Sequence, residues 1–256
     1  MSNTLRLFRW ILLPAAPARN VWGWAVRPST WKTGKHPSMP PNVSDAAFAV
    51  SFAHSMRSGE VTDMETTNIM IVGVGGQGTL LASRVLGTLF LNAGFDVKMS
   101  EVHGMSQRGG SVVTYVRFGE KVYSPVICEG EADYILSFEK LEGARYLPCL
   151  KKGGLLLTNT QEIDPMPVIT GAASYPHEVL DEIRGKDIRV DAFDALELAK
   201  AAGSVKAVNI VLLGRLSTYF DFDEKLFKEA IEATVAPKFR DMNLRAFSLG
   251  RASRSI

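Results

Sequence analysis

The chain has 256 residues, 46% of them hydrophobic and 22% charged, with a formal net charge of +2. Such a chain makes one large domain or two small ones, and its charge balance gives no footing for nucleic acid. Cys128 and Cys149 are the only cysteines, too few for a four-thiolate iron–sulfur cluster and without metal spacing. They are expected to be two buried free thiols.

The average charge hides two compositions. Residues 1–44 hold Arg6, Arg9, Arg19, Arg27, Lys32 and Lys35 without any Asp or Glu, and all 4 tryptophans (Trp10, Trp22, Trp24, Trp31) lie there. An acid-free, Arg- and Ser-containing start suggests a transit peptide. The apolar run Leu5–Ala16 behind Arg6 and Arg9 suggests a signal peptide. It is interrupted by Pro14 and too short to span a bilayer, so no membrane partner is expected. A third reading starts translation at Met64 and makes the extension dispensable. All three keep residues 1–63 out of the fold and expect them to be poorly ordered. One domain is then expected over residues 64–240, followed by a fraying Arg/Ser-rich tail at 241–256.

Asn68–Val72 reads as a strand buried on both faces. Gly73, Gly75, Gly76 and Gly78 crowd the next six positions, with Gln77 among them, and Thr79–Ala93 then follows a helical period. Leu81, Val85 and Leu89 form one row of its apolar stripe, and Ala82, Leu86 and Phe90 the next. Gly87 within it marks close packing, and Gly94 its stop. Gly73-x-Gly75-x-x-Gly78 fits the dinucleotide fingerprint, in which glycines permit a tight turn, a close backbone approach and helix-on-strand packing. Glu101 stands near the spacing at which such sites hold a ribose. Amides at the helix start suit an anion. The same glycines also suit plain close packing of strand, helix and a neighbouring chain, and both readings stand.

Phe95–Ser100 would complete a right-handed βαβ unit. The loop Val102–Gly110 that follows carries His103, Gln107 and Arg108 before Gly109 and Gly110. Polar loops after parallel strands sit at the carboxyl edge of a sheet, where ligands bind. Arg108 would hold an anion with its fork of donors, and His103 and Gln107 would orient a ligand or a partner's backbone. Alternatively the loop serves an interface alone. Ser111–Phe118 and Lys121–Ser124 read as a β-hairpin added to the core, with Arg117 a solvated or interface charge.

Ala132–Phe138 is a further buried strand and Glu139–Leu150 a helix, with Lys151 and Lys152 at its negative end. Leu155–Thr158 is a strand. Three prolines make Asp164–Pro176 a loop without regular structure, and His177 lacks a matching carboxylate or cysteine nearby. Ile188–Val190 is a short strand, and Asp191 caps a helix ending at Gly203. Val205–Phe220 is an apolar helix in which Asn209 and Gly214 allow close contacts or a bond to a neighbouring loop. Asp221-x-x-Glu224 caps the helix Lys225–Val235, whose buried face is Leu226, Phe227, Ala230 and Ile231. The fold class is therefore α/β: a mostly parallel, Rossmann-like sheet with helices on both faces and an added β-hairpin.

Several catalytic devices are missing from the sequence: no Gly-Asp-Gly thiamine diphosphate motif, cluster-binding cysteine run, Ser-His-Asp order, Walker sequence or metal-spaced histidines. The residues predict a chain that does no hard redox chemistry alone.

Gly-x-Gly-Gly-Gln-Gly, SEVHGMSQRGGSVVTYVRFGEKVYSP and EGEADYILSFEKLEGAR resemble the small, gamma-like subunit of indolepyruvate:ferredoxin oxidoreductase, within the 2-oxoacid:ferredoxin oxidoreductases. The likeness runs from about Asn68 to about Phe239, the stretch Ser100–Pro125 being its most specific part. It implies a cytoplasmic hetero-oligomer in which this chain binds no cofactor alone. A large alpha subunit would carry thiamine diphosphate, Mg and 4Fe-4S clusters, with coenzyme A and ferredoxin as co-substrates. Gly73–Gly78 and His103–Gly110 would face that partner. The competing reading is a free-standing nucleotide-binding module or dehydrogenase that uses the glycine turn.

Overall fold

A run of β-branched and apolar residues after Thr67 can be satisfied only by covering both of its faces, and that is where the chain puts it. The computed structural model describes residues 66–103 and 109–255, with the backbone alone for His103. Expectations for the extension 1–63, and for Gln107 and Arg108, fall outside these residues. β1 (Thr67–Val74) is the buried strand, and α1 (Thr79–Asn92) follows the glycine turn. β2 (Asp96–His103) and β3 (Ser111–Gly119) come next, then β4 (Ala132–Ser137) with the short helix α2 (Lys140–Arg145). β5 (Leu150–Asn159), α3 (Met166–Ile169), α4 (Val179–Arg184) and β6 (Arg189–Phe193) complete the sheet. Four helices close the chain: α5 (Ala195–Ala202), α6 (Val208–Leu216), α7 (Glu224–Thr234) and α8 (Arg240–Ala252).

The described strands form one six-stranded sheet in the order β2-β3-β1-β4-β5-β6. β1, β4, β5 and β6 are parallel neighbours, whereas β3 runs antiparallel to both β1 and β2. Alternate residues serve opposite faces. Ile69, Ile71, Leu136, Leu155 and Leu157 join residues of α1, α5, α6, α7 and α8 in the main core. Met70, Val72, Ile135 and Leu156 are equally buried but point the other way. On that face lies α2, whose Gly143 is so close that an added Cβ would sit 3.1 Å from Ser137 Cβ. The α/β class, the mostly parallel sheet and helices on both faces are as expected.

The hairpin is not. β3 is no appendage: it inserts between β1 and β2, so the β1–α1–β2 crossover spans an intervening antiparallel strand. Val112, Val113, Thr114 and Val116 are buried because β3 is an interior strand, and its hairpin partner is β2. Lys121–Ser124 forms no strand. Arg117 instead staples the end of that segment, donating from Nη1 to the carbonyls of Ser124 at 3.2 Å and Val126 at 2.5 Å and from Nε to Asn68 Oδ1 at 2.8 Å. Its pairing is internal.

Other expectations are corrected by particular contacts. The helix after β4 stops at Arg145, and Lys151 and Lys152 belong to β5. Pro165 and Pro167 start α3 rather than forbid it, since proline is tolerated in a first helical turn. Asp194, not Asp191, caps α5 by accepting from Glu197 N. Asp191 is buried in β6 and takes Arg215 Nε at 2.6 Å and the Tyr219 hydroxyl at 2.5 Å. Burial and then Asp191 push that tyrosine up to about 12. Asp223 rather than Asp221 caps α7. Cys128 is exposed and Cys149 partly buried, both free.

The largest correction is the tail. Residues 240–252 form α8, and Ala246, Phe247 and Gly250 are buried in the core. The helix lies against α6 where two glycines meet. A Cβ on Gly214 would fall 2.1 Å from the Phe247 carbonyl oxygen, and one on Gly250 would fall 1.9 Å from that of Val211. Because backbone cannot yield as a side-chain tip does, Gly250→Ala is expected to destabilise the full chain by about 3 kcal/mol, measured as a lowered urea midpoint. A wild-type midpoint in that variant would show that α8 does not dock as described.

Candidate functional site

β1, β4, β5 and β6 all end at one edge of the sheet. The chain leaves β1 toward β2 and returns to β4 on the other side, so the topological switch lies between β1 and β4, where open α/β sheets bind ligands. The glycine turn sits at this point. Gly78 has φ 88° and forms the left-handed entry to α1, and Gly76, at φ 101°, is exposed.

Gln77 occupies the space that the turn encloses. Its Oε1 accepts from Val74 N at 2.7 Å, and its Nε2 donates to the carbonyl of Phe138 at 3.1 Å. One amide thus ties the end of β1 to the residue following β4. Gly73 is required for this: a Cβ there would lie 2.8 Å from Gln77 Oε1 and 2.9 Å from Phe138 Cβ. Asn209 Nδ2 donates to Gly78 O at 3.2 Å, and a Cβ on Gly78 would lie 2.6 Å from that nitrogen. The bond from Asn209 to a neighbouring loop is therefore to this turn.

Gly75 N donates to Gly110 O at 2.8 Å, and Gly109 N donates to Gly75 O at 3.3 Å. This adds a rung to the β1–β3 ladder beyond Val74↔Ser111. The structure thus brings Gly73, Gly75, Gly76, Gln77, Gly78, Gly109 and Gly110 together. His103 is the last residue of β2, opposite Val112, rather than part of the loop. The amides of Val74, Gly75 and Gln77 are already engaged, by Gln77 Oε1, Gly110 O and Val74 O. These three amides are thereby closed to an outside ligand.

Sequence reasoning missed the polar group beside the turn. Glu139, Lys140 and Glu142 follow β4, and all three are buried. Glu139 caps α2 by accepting from Glu142 N at 2.8 Å, and it takes the Tyr175 hydroxyl. Burial pushes the Glu139 carboxyl up, against the hydrogen bond from Tyr175. The Glu142 carboxylate accepts from Ser111 Oγ at 2.5 Å and from Arg145 Nε at 3.3 Å. Lys140 Nζ pairs with Glu162 and donates to the carbonyl of His177 at 2.7 Å. His177 does have a carboxylate partner, Glu162 Oε2 at 2.8 Å. The sequence signal was the run Glu-Lys-x-Glu straight after a buried strand, a place where charges need partners.

The described residues contain no helix long and apolar enough to cross a membrane. Residues 68–253 match the family model for pyruvate ferredoxin/flavodoxin oxidoreductase, and the chain belongs to that family. Its relatives include the indolepyruvate oxidoreductase subunit IorB of Thermococcus kodakarensis, 50% identical over an alignment of 195 positions that covers 73% of this chain and 95% of that subunit. The IorB subunit of Pyrococcus horikoshii is 48% identical over the same shares. Among solved structures, pyruvate oxidoreductase subunit PORC of Thermotoga maritima shares the fold, with a TM-score of 0.57 and 21% identity over 73% of this chain and 95% of that one.

Burial opposes ionisation of Glu162, but Lys140 and His177 outweigh it and hold the carboxyl below its usual range. A lowered carboxyl favours the fold above the ordinary carboxylate range and loses that effect as pH falls through the lowered value. Glu162→Gln should therefore cost about 1 kcal/mol at pH 7, given that Glu162 is partly solvated. The difference from wild type should vanish on acidification. Denaturant melts across that range check it, and a pH-independent difference would refute the ion-pair account.

Proposed function

We propose that this chain is the small subunit of a 2-oxoacid:ferredoxin oxidoreductase acting on an aryl 2-oxo acid, with indolepyruvate the substrate suggested by its relatives. The reaction converts the 2-oxo acid and coenzyme A to acyl-CoA and carbon dioxide while ferredoxin takes the electrons. The observation that carries this reading is the 50% identity to an indolepyruvate oxidoreductase subunit across 95% of that subunit. The internally engaged glycine turn supports it, because a turn filled by Gln77 suits a structural joint better than a nucleotide site.

Thiamine diphosphate, magnesium, iron–sulfur clusters and the ferredoxin contact then belong to a large partner subunit, in the cytoplasm. Thiamine diphosphate there supplies the carbanion stabilisation that decarboxylation needs. This chain's part is to complete the assembly and wall the active site. Gly73–Gly78 and the stretch from His103, at the end of β2, to Gly110 form the face turned to the partner, with Arg108 offering a fixed fork of donors to an anion and His103 and Gln107 orienting what it holds.

Anaerobic co-expression of this chain with a candidate large subunit tests the reading. Coenzyme-A-dependent dye reduction with indolepyruvate should require both chains. Failure of the chains to associate, with saturable NAD, FAD or coenzyme A binding by the isolated chain, would overturn it in favour of a nucleotide module. In the assembled complex, Arg108→Ala should lower kcat/KM by about tenfold or more, the effect of removing a charged hydrogen-bond donor, with assembly intact by gel filtration. Unchanged turnover would make the loop an interface alone.

A further inference from the structure

The stem Gly109–Ser111 meets the glycine turn on one side and α2 on the other. Toward the turn, the contacts are backbone to backbone, through Gly75 and Gly110. Toward α2, the Ser111 hydroxyl donates to Glu142 Oε2 at 2.5 Å and lies 3.3 Å from the Tyr146 hydroxyl. Glu142 is 4% exposed, and its other oxygen takes Arg145 Nε. A buried carboxylate is costly to keep, so its placement at this joint calls for a reason. Stability alone would be served as well by an apolar side chain. What an apolar side chain cannot do is fix the angle at which Ser111 enters the sheet, because only the hydrogen bond is directional.

We infer that Glu142 is a positioning residue: its carboxylate, acting through the Ser111 hydroxyl, sets Gly109–Ser111 against the glycine turn and so shapes the face presented to the partner's active site. The last clause rests on the subunit reading above, whereas the setting of the turn does not. Ser111 starts β3 and is exposed, and threonine and valine are nearly the same size there, one carrying a hydroxyl where the other carries a methyl.

Full-length Ser111→Thr and Ser111→Val chains separate position from volume. Hydrogen exchange at the Gly75 and Gly109 amides should rise by roughly tenfold in the valine chain and stay within about twofold of wild type in the threonine chain. Exchange at Ile71 and Leu136 should not change in either. Glu142→Ala should reproduce the valine effect, and the double variant should add little to it, since the two side chains act through one bond. In the reconstituted complex, Ser111→Val should lower kcat by a similar factor at unchanged KM, with threonine restoring it. Equal exchange in the threonine and valine chains overturns the inference, as does raised exchange with unchanged kcat in a complex whose wild type is active. If the variants show the exchange pattern but the wild-type chain gives no turnover with any large subunit, the subunit reading is refuted and the setting of the turn stays supported.

Discussion

The carboxyl edge of this sheet depends on the side-chain amide of Gln77. Where β1 and β4 end side by side, the amide of Val74 and the carbonyl of Phe138 leave the ladder without backbone partners, the carbonyl also taking Asn159 Nδ2 at 3.2 Å, and buried backbone groups must be satisfied. A side chain carrying both a donor and an acceptor answers both at once, and Gln77 does so. Glutamate would supply the acceptor but not the donor. The need for glycine follows from this amide: Gly73 makes room for Gln77 and Phe138, and Gly78 for Asn209. The spacing of a dinucleotide fingerprint thus serves the protein's own side chains. The crevice where such folds take a nucleotide is bridged from within.

The inserted strand β3 gives that bridge its second purpose. Because β3 runs antiparallel beside β1, its first residues arrive next to the glycine turn, and Gly75 and Gly110 extend the ladder by a rung. A plain βαβ unit would have left β2 beside β1 and its exit loop in the same corner with nothing to pair against. With β3 on one side and β4 on the other, β1 is flanked by strands on both sides, consistent with its nearly complete burial. At the opposite edge, Phe90 and Phe118 stack at 3.6 Å between ring centres, with Phe95, Phe220 and Phe222 around them. Aromatic packing there ties α1 to the far end of the inserted strand.

Much of this was legible because it obeys local rules. The glycine turn, the stripe of α1, the Gly203 stop and the buried face of α7 all follow from periodicity and backbone conformation within one segment. What was not legible depends on residues far apart in the chain. Nothing local separates a strand that pairs with the next segment from one that inserts between two earlier strands, so β3 read as a hairpin with Lys121–Ser124. Asp191 precedes a helix as a cap would, and only the arrival of Arg215 and Tyr219 makes it a buried ion-pair member. The tail read as fraying because of its Arg and Ser content. Ala246, Phe247 and Gly250 are nonetheless buried, with Met242, Leu244 and Leu249 packed beside them, once α6 offers Gly214 to receive the helix. The turn's glycines could be read from sequence, but the side chains that fill the space they leave could not.

The charged run Glu139-Lys140-x-Glu142 shows how such long-range pairing organises the edge. Three neighbouring residues that favour water are buried, and they reach two distant parts of the chain. Glu139 takes Tyr175, Lys140 takes Glu162 and the carbonyl of His177, and Glu142 takes Ser111. Apolar residues here would cover the same surface at lower desolvation cost. They would not hold the connection between β5 and α4 on one side and the start of β3 on the other at defined distances. The raised carboxyl of Glu139 is evidence of that cost: above the ordinary carboxylate range, keeping it ionised works against folding, and the opposition fades as pH falls and the proton is held. A fold that keeps such a group next to its switch point gives up some stability for a fixed geometry, and the geometry it fixes is the junction of glycine turn and loop stem.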